Sequence, residues 1–251
     1  MAGPAGLEIA MAAYMTAAIA ITGMTIRRGG RSVVYDASAT IPPASWFGVI
    51  GANGSGKTTI LRAMAGRLPI ADGNCTIFGM QCAKDRSTRA RAVGFAPPIE
   101  KLPAALRVRE LLELAGDPVE VQQERNASLW EALGIAQLLN VPTRECSSGM
   151  RQRAALALAF ASPSRIVILD EPFNWLDPVA AFDTRTALAT MVEGGLTLIT
   201  ALHDLTTLCG FCHGGMVMTK GRVSLQLDER TLRAGQNDAA LFEIELVAAL
   251  R

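Results

Sequence analysis

At 251 residues, half of them apolar, the chain has enough material for one sizeable α/β core with a small satellite subdomain, and a disordered protein is excluded. Its 24 lysines and arginines nearly balance 23 aspartates and glutamates, so no broad basic field draws it onto nucleic acid or anionic lipid. Five cysteines, an odd count without small-domain spacing and with no secretory signal ahead of them, read as reduced thiols of a cytosolic protein.

Residues 1 to about 17 read as an N-terminal extension. The apolar stretch from Ile9 to Met24 is too short and alanine-rich for a membrane span. Glu8 precedes it, Gly23 closes it, and it lacks the basic flank of a signal peptide. Ala18 to Thr22 is expected as the first strand. Further strands are predicted at Trp46–Ile50, Thr76–Phe78, Val93–Phe95, Ile166–Leu169, Leu196–Thr200 and Met216–Thr219. Runs such as IVIL and LTLIT lack a polar alternate, as strands buried on both faces of a helix-covered sheet do. The fold class is therefore α/β. Arg86, Arg89 and Arg91 read as a local solvated face. From Leu106 to Asn140 the pattern is helical throughout, which predicts a helical subdomain inserted after the strand ending at Phe95, with Pro97, Pro98, Pro103 and Pro142 at its edges.

Residues 51–58, GANGSGKT, match the whole G-x-x-x-x-G-K-[ST] loop, with an apolar strand before it and a helical stretch after it. Glycines let successive backbone N–H groups turn toward a phosphate, and the following helix adds its positive end. The candidate nucleotide-binding residues are Gly51, Asn53, Gly54, Ser55, Gly56, Lys57, Thr58 and Thr59. Lys57 is expected at the β- and γ-phosphates and Thr58 on Mg²⁺.

Ile166 to Glu171 reads IVILDE, four apolar residues ending in two acids. At the carboxyl edge of a parallel sheet, Asp170 is placed to hold Mg²⁺ and Glu171 to act as general base on the attacking water. His203 follows LTLITAL and is expected to emerge at the same edge, near the γ-phosphate. Cys209, Cys212 and His213 spell the c-type haem pattern. That attachment needs an exported route, so they read as buried or half-buried thiols on a helix, and His213 is given no role.

The fragment CSSGMRQR, Cys146 to Arg153, opens a helix rich in alanine and leucine and resembles the signature motif of the ABC ATPase family. In order with the phosphate loop, the acidic strand and His203, this resemblance covers about Ala18 to Leu225. It implies a P-loop NTPase (RecA-like) core with a mainly parallel sheet, an antiparallel edge sheet and the inserted α-helical subdomain. The core would span about 18–98 and 160–225, the subdomain about 99–159 and a tail 226–251. It also implies that Ser147 and Gly149 complete the ATP site of a second ATPase subunit, and that NWLD, ending at Asp177, forms the loop crossing between the two. A transmembrane permease would dock at the helical subdomain. The protein would then be cytoplasmic and peripheral on the inner face of the membrane, an ATPase powering transport with no nucleic-acid partner. The long coiled-coil insertions and tandem cassettes of chromosome- and translation-type relatives are absent from this sequence.

Two departures from the family pattern count most, beside milder ones at Ser148 and Met150 in the signature segment. Pro98 stands where a glutamine is usual, which predicts one protein ligand fewer for Mg²⁺, a stiffer hinge, and the alternative of a degenerate cassette that binds ATP but hydrolyses poorly. Near the usual adenine-stacking aromatic the chain offers Arg28 or Tyr35, and either predicts a weak grip on adenine.

Overall fold

The structure is a computed structural model and describes residues 17–237 and Phe242. All of the expected N-terminal extension except Ala17, and the tail beyond residue 237 except Phe242, lie outside the described residues. A six-stranded sheet forms the centre, with order β10-β9-β3-β8-β7-β6. Three of its four inner strands, β3 (Trp46–Gly51), β7 (Ile166–Asp170) and β8 (Thr197–Leu202), are buried at every position except half-buried Asp170. β6 (Val93–Phe95), β7, β8, β3 and β9 (Gly214–Thr219) run parallel, and β10 (Arg222–Leu227) closes the edge antiparallel to β9.

Strands without a polar alternate need cover on both faces, and each face has its own core. Phe47, Val49, Ile166, Ile168 and Ile199 pack with Ile60, Leu61 and Met64 of α1 (Lys57–Met64) and with the second sheet. Trp46, Val167, Leu169 and Leu198 pack on the opposite side with the helices. Trp46 anchors that side: its indole N–H donates to Thr200 Oγ1 at 2.8 Å, and its ring meets Phe211 and Phe173.

The second sheet is antiparallel, in the order β2-β1-β4-β5, from β1 (Ile19–Arg28), β2 (Arg31–Ile41), β4 (Asp72–Ile77) and β5 (Met80–Gln81). β1 runs six residues beyond the expected Thr22, and β4 ends before Phe78, which turns the chain at φ 46°. β2 was not among the predicted strands. Asp36 at φ 50° and a register shift between the Met24–Ala37 and Ile26–Val34 pairs interrupt its alternation, so no period of two is legible across it. β8 runs two residues past the expected Thr200, and Gln226 and Leu227, assigned to the tail, belong to β10.

The helical stretch resolves into α3 (Val108–Ala115), α4 (Val119–Arg125), α5 (Ala127–Leu133) and α6 (Ile135–Leu138), and no strand interrupts it. Its two ends are tied together: Val108 N–H donates to Val141 O at 3.2 Å and Thr143 N–H to Leu106 O at 2.9 Å. α7 (Ser148–Leu158) packs against α3, α5 and α6, and α8 (Pro178–Glu193) against α5.

The arginine cluster on α2 (Arg86–Ala92) is not a solvated face throughout. Arg86 and Arg91 are exposed, whereas Arg89 is fully buried, its guanidinium bonded to carbonyls of three segments. A one-dimensional pattern does not show carbonyls that tertiary folding brings in. Cys209 lies on α9 (Leu205–Phe211) and Cys212 just past its end, both buried as expected. His213 caps β3, accepting Trp46 N–H at Nδ1 (3.1 Å) and donating its own N–H to Trp46 O (2.8 Å). α10 (Glu229–Asn237) packs on α9.

Candidate nucleotide-binding site

The loop between β3 and α1 is shaped by close backbone approach. A Cβ on Gly51 would lie 2.4 Å from Met218 O, and Gly56 sits at φ 105°, a left-handed conformation that favours glycine. The β9–β10 turn buttresses the loop through Gly221 N–H, which donates to Ser55 O at 2.9 Å. Asn53 and Gly54 form its exposed tip, while Ser55, Gly56, Lys57 and Thr59 are buried. Among the described residues Ser55 Oγ has no hydrogen-bond partner although it is buried, an unspent donor within a loop of the kind that takes phosphate oxygens.

Lys57 is 4% exposed, and its ammonium donates to Gly51 O at 2.7 Å and Ala52 O at 3.4 Å. Burial lowers its pKa from the ordinary lysine range, and the carboxylates of Glu171 and Asp170 oppose that shift. Thr58 Oγ1 donates to Asp170 Oδ1 at 3.2 Å. Burial raises the Asp170 pKa, against the Thr58 hydrogen bond. A hydroxyl beside a carboxylate is an all-oxygen donor set of the kind Mg²⁺ takes.

Glu171 follows the end of β7 at φ 53°, and Trp175 four residues on has φ 67°; neither is glycine. Such conformations cost about 1–3 kcal/mol each and gather at functional sites. The strained turn places both Glu171 oxygens in hydrogen bonds. His203, emerging after β8 as expected, meets Oε1 at 2.5 Å through Nε2, and Asn174 Nδ2 donates to Oε2 at 2.8 Å. Lys57, Thr58, Asp170, Glu171 and His203 thus converge from β3, β7 and β8 at one sheet edge.

Ser147, Gly149 and Asp177 gather elsewhere, around the 174–177 turn. Ser147 caps α7, its Oγ accepting Met150 N–H at 3.2 Å. Gly149 leaves no room for a side chain, because a Cβ would sit 2.8 Å from Trp175 O. Asp177 caps α8 and pairs with Arg153 at 3.0 Å. Among the described residues, no hydrogen bond or ion pair joins these three to the phosphate loop.

Pro98, at φ −59°, begins a 3₁₀ turn (Ile99–Lys101) and borders a cavity of about 150 Å³ shared with Arg62, Gln152, Asp170, Glu171 and Asn174. Tyr35 is engaged by the β9–β10 turn: its N–H donates to Gly221 O at 2.8 Å, and the Arg222 guanidinium lies 5.4 Å from its ring centre. Arg28 ends β1 opposite Arg31 and is exposed.

The sequence profile described as ABC transporter matches residues 34–174, more than half of the chain. The chain belongs to this family. The hemin import ATP-binding protein HmuV of Pseudomonas fluorescens is 29% identical over 233 residues, spanning 88% of this chain and 91% of that protein. An uncharacterized ABC transporter ATP-binding protein of Bacillus subtilis, YhcH, is 28% identical over 233 residues, 92% of this chain and 76% of its own. Among solved structures, an ATP-binding subunit of an ABC transporter superposes with a TM-score of 0.79 at 22% identity, covering 91% of this chain and 99% of the other. The α/β P-loop cassette, with its antiparallel edge sheet and inserted helices, is thus the family's fold.

Two residues of the site were not singled out from the sequence. Asn174 stands in the NWLD segment, but nothing in that string shows that its amide turns back onto Glu171. Arg62 reaches the Asp170 neighbourhood from α1 one turn beyond Thr58, a placement visible only once the helix is known to follow the loop.

Proposed function

We propose that this cassette binds MgATP between two copies and hydrolyses it to power transport through a separate membrane permease. The convergence of Lys57, Thr58, Asp170, Glu171 and His203 at the carboxyl ends of three strands supports this reading most strongly. Loop N–H groups, the Ser55 hydroxyl and the Lys57 ammonium would hold the phosphates. Thr58 and Asp170 would hold Mg²⁺, which supplies charge neutralisation on the phosphate oxygens when bound. Glu171 would take the proton of the attacking water, with His203 and Asn174 fixing its carboxylate. Ser147 and Gly149 of the second copy would face the γ-phosphate. The low burial of Arg28 and the engagement of Tyr35 favour a weak grip on adenine.

The permease would dock in the groove between α1, β6 and the inserted helices, a cavity of about 890 Å³ walled by Phe95, Leu106, Leu111 and Leu114 and edged by Arg67 and Lys101. Among the described residues no helix is long and apolar enough to cross a membrane. We place the protein in the cytoplasm, on the inner face of the membrane beside that partner. Relatives are named for hemin import and for zinc transport, so coupling to transport, rather than one solute, is their common feature.

The experiment is steady-state ATP turnover of the purified chain with and without Glu171→Gln. Turnover is expected to fall on the order of 10²–10⁴-fold while ATP binding persists. Unchanged turnover in the variant would remove Glu171 as the base. Pro98 favours a second reading, in which the cassette closes on ATP but depends on a more active sister subunit for turnover.

A further inference from the structure

Cys75 lies in β4 and Cys82 one residue beyond β5, on opposite arms of a tight hairpin. Ile77 pairs with Met80 and Thr76 with Gln81, so the register carries the two cysteines face to face. Their sulfurs are 4.0 Å apart, Cys82 N–H donates to Cys75 O at 2.8 Å, and both thiols are free. The backbone bond makes them a hydrogen-bonded cross-strand pair, about 5.5 Å apart at Cα and so within the range a disulfide spans, although the Cβ atoms of such a pair must draw in by up to roughly an ångström for the S–S bond to form.

The surroundings make the pair unequal. Arg89 is fully buried, and its guanidinium donates to Ala63 O at 2.9 Å, Cys82 O at 2.5 Å, Ala83 O at 2.6 Å and Leu68 O at 3.3 Å. All four acceptors are neutral, and among the described residues no carboxylate lies within ion-pair distance of it. A buried cation without a counter-charge is costly, so an anion forming beside it is favoured. In the thiol form Cys82 Sγ donates to Cys75 Sγ and, at 3.4 Å, to Cys75 O; hydrogen bonding between the two sulfurs lowers the Cys82 pKa and Arg89 lowers it further, against burial and the charge of Asp85. The same hydrogen bond, with burial, pushes the Cys75 thiol well up. Both thiols are buried, and Cys82 follows directly on exposed Met80 and Gln81 of β5, a two-residue strand at the sheet edge. Cys209 and Cys212 form the contrasting pair, with both thiols raised by burial and no cation acting on either.

We propose that Cys82 and Cys75 are the attacking and resolving thiols of a reversible intrachain disulfide, formed when a hydroperoxide reaches the β4–β5 hairpin. The Cys82 thiolate attacks a peroxide oxygen and the O–O bond breaks. This gives a Cys82 sulfenic acid and a hydroxide or alkoxide that leaves as water or alcohol after taking up a proton. Cys75 sulfur then attacks Cys82 sulfur: the S–S bond forms, the S–O bond breaks, and the hydroxyl departs as water with the Cys75 proton. Two cysteine sulfurs are oxidised and one peroxide is reduced, and a dithiol reverses the bridge by exchange.

The test treats the full chain with hydrogen peroxide, then denatures it in N-ethylmaleimide and digests it with trypsin. Peptide 68–84 holds both cysteines and no other. It is expected to appear unalkylated and lighter by two hydrogens, and to recover both thiols in dithiothreitol, while Cys146, Cys209 and Cys212 stay alkylated. Oxidised Met80 in the same peptide adds an oxygen and is told apart by mass. In Cys75→Ser, a sulfenic acid at Cys82 should be trapped by dimedone. In Cys82→Ser, oxidation of Cys75 should be slower by tenfold or more, as roughly expected for a thiol held protonated. The proposal is overturned if the wild-type peptide keeps both thiols, a measurement that needs no variant to fold. It is equally overturned if Cys75 in Cys82→Ser oxidises as fast as Cys82 does in Cys75→Ser.

Discussion

Around Lys57 the ammonium, the Thr58 hydroxyl and both oxygens of Glu171 are already engaged within the chain. The stretch from Trp175 to Phe182 is the opposite case, with Trp175, Val179 and Phe182 65%, 69% and 59% exposed. The first region is organised in advance, because a partly desolvated site strengthens each polar contact and leaves little to rearrange. The second carries large apolar side chains in water beside a strained turn and beside Ser147 and Gly149. Such a surface gains by being covered. On the proposed reading, one copy brings the phosphate centre and the other brings the cover.

The sharpest way to break this comparison is to divide it between two chains. Lys57→Ala and Ser147→Arg should each lower ATP turnover on the order of a hundredfold or more. Mixing the two purified variants should restore part of the rate, because mixed dimers then hold one intact site. No recovery on mixing, with both variants folded, would count against a site shared between copies. A smaller effect is expected from Trp175→Ala. Loss of a central aromatic anchor typically weakens an interface by about 2 kcal/mol, roughly thirtyfold in the dimerisation constant. Sedimentation with ATP and Glu171→Gln as background reads that shift, while the melting temperature of the monomer should hold because the ring is mostly in solvent. The smallest change belongs to Pro98→Gln, which restores a side-chain amide at the cavity shared with Asp170 and Glu171. A few-fold rise in turnover and a lower Mg²⁺ requirement are expected; no change in either would clear Pro98 of any part in hydrolysis.

Much of this was legible in one dimension where chemistry dictates a local string. The phosphate loop needs glycine at positions of close approach or positive φ, so Gly51 and Gly56 announce it. Inner strands need apolar residues on both faces, so IVIL and LTLIT announce β7 and β8. The second sheet was harder to see, because its strand β2 bends at Asp36 and its buried positions fall out of alternation. The helical insertion was visible in its period, but the ties at Leu106–Thr143 and Val108–Val141 that close it were not.

The sequence by itself therefore determined the α/β class, the phosphate loop, the acidic strand end and the expectation that His203 joins them, since each depends on neighbours along the chain. Only the tertiary structure decided that Asn174 holds the second oxygen of Glu171, that Arg89 is buried rather than solvated, and that Cys75 faces Cys82. In each of these cases the deciding partner is a backbone turn, a set of carbonyls or an opposite strand, and its position is fixed by packing and register rather than by residue order.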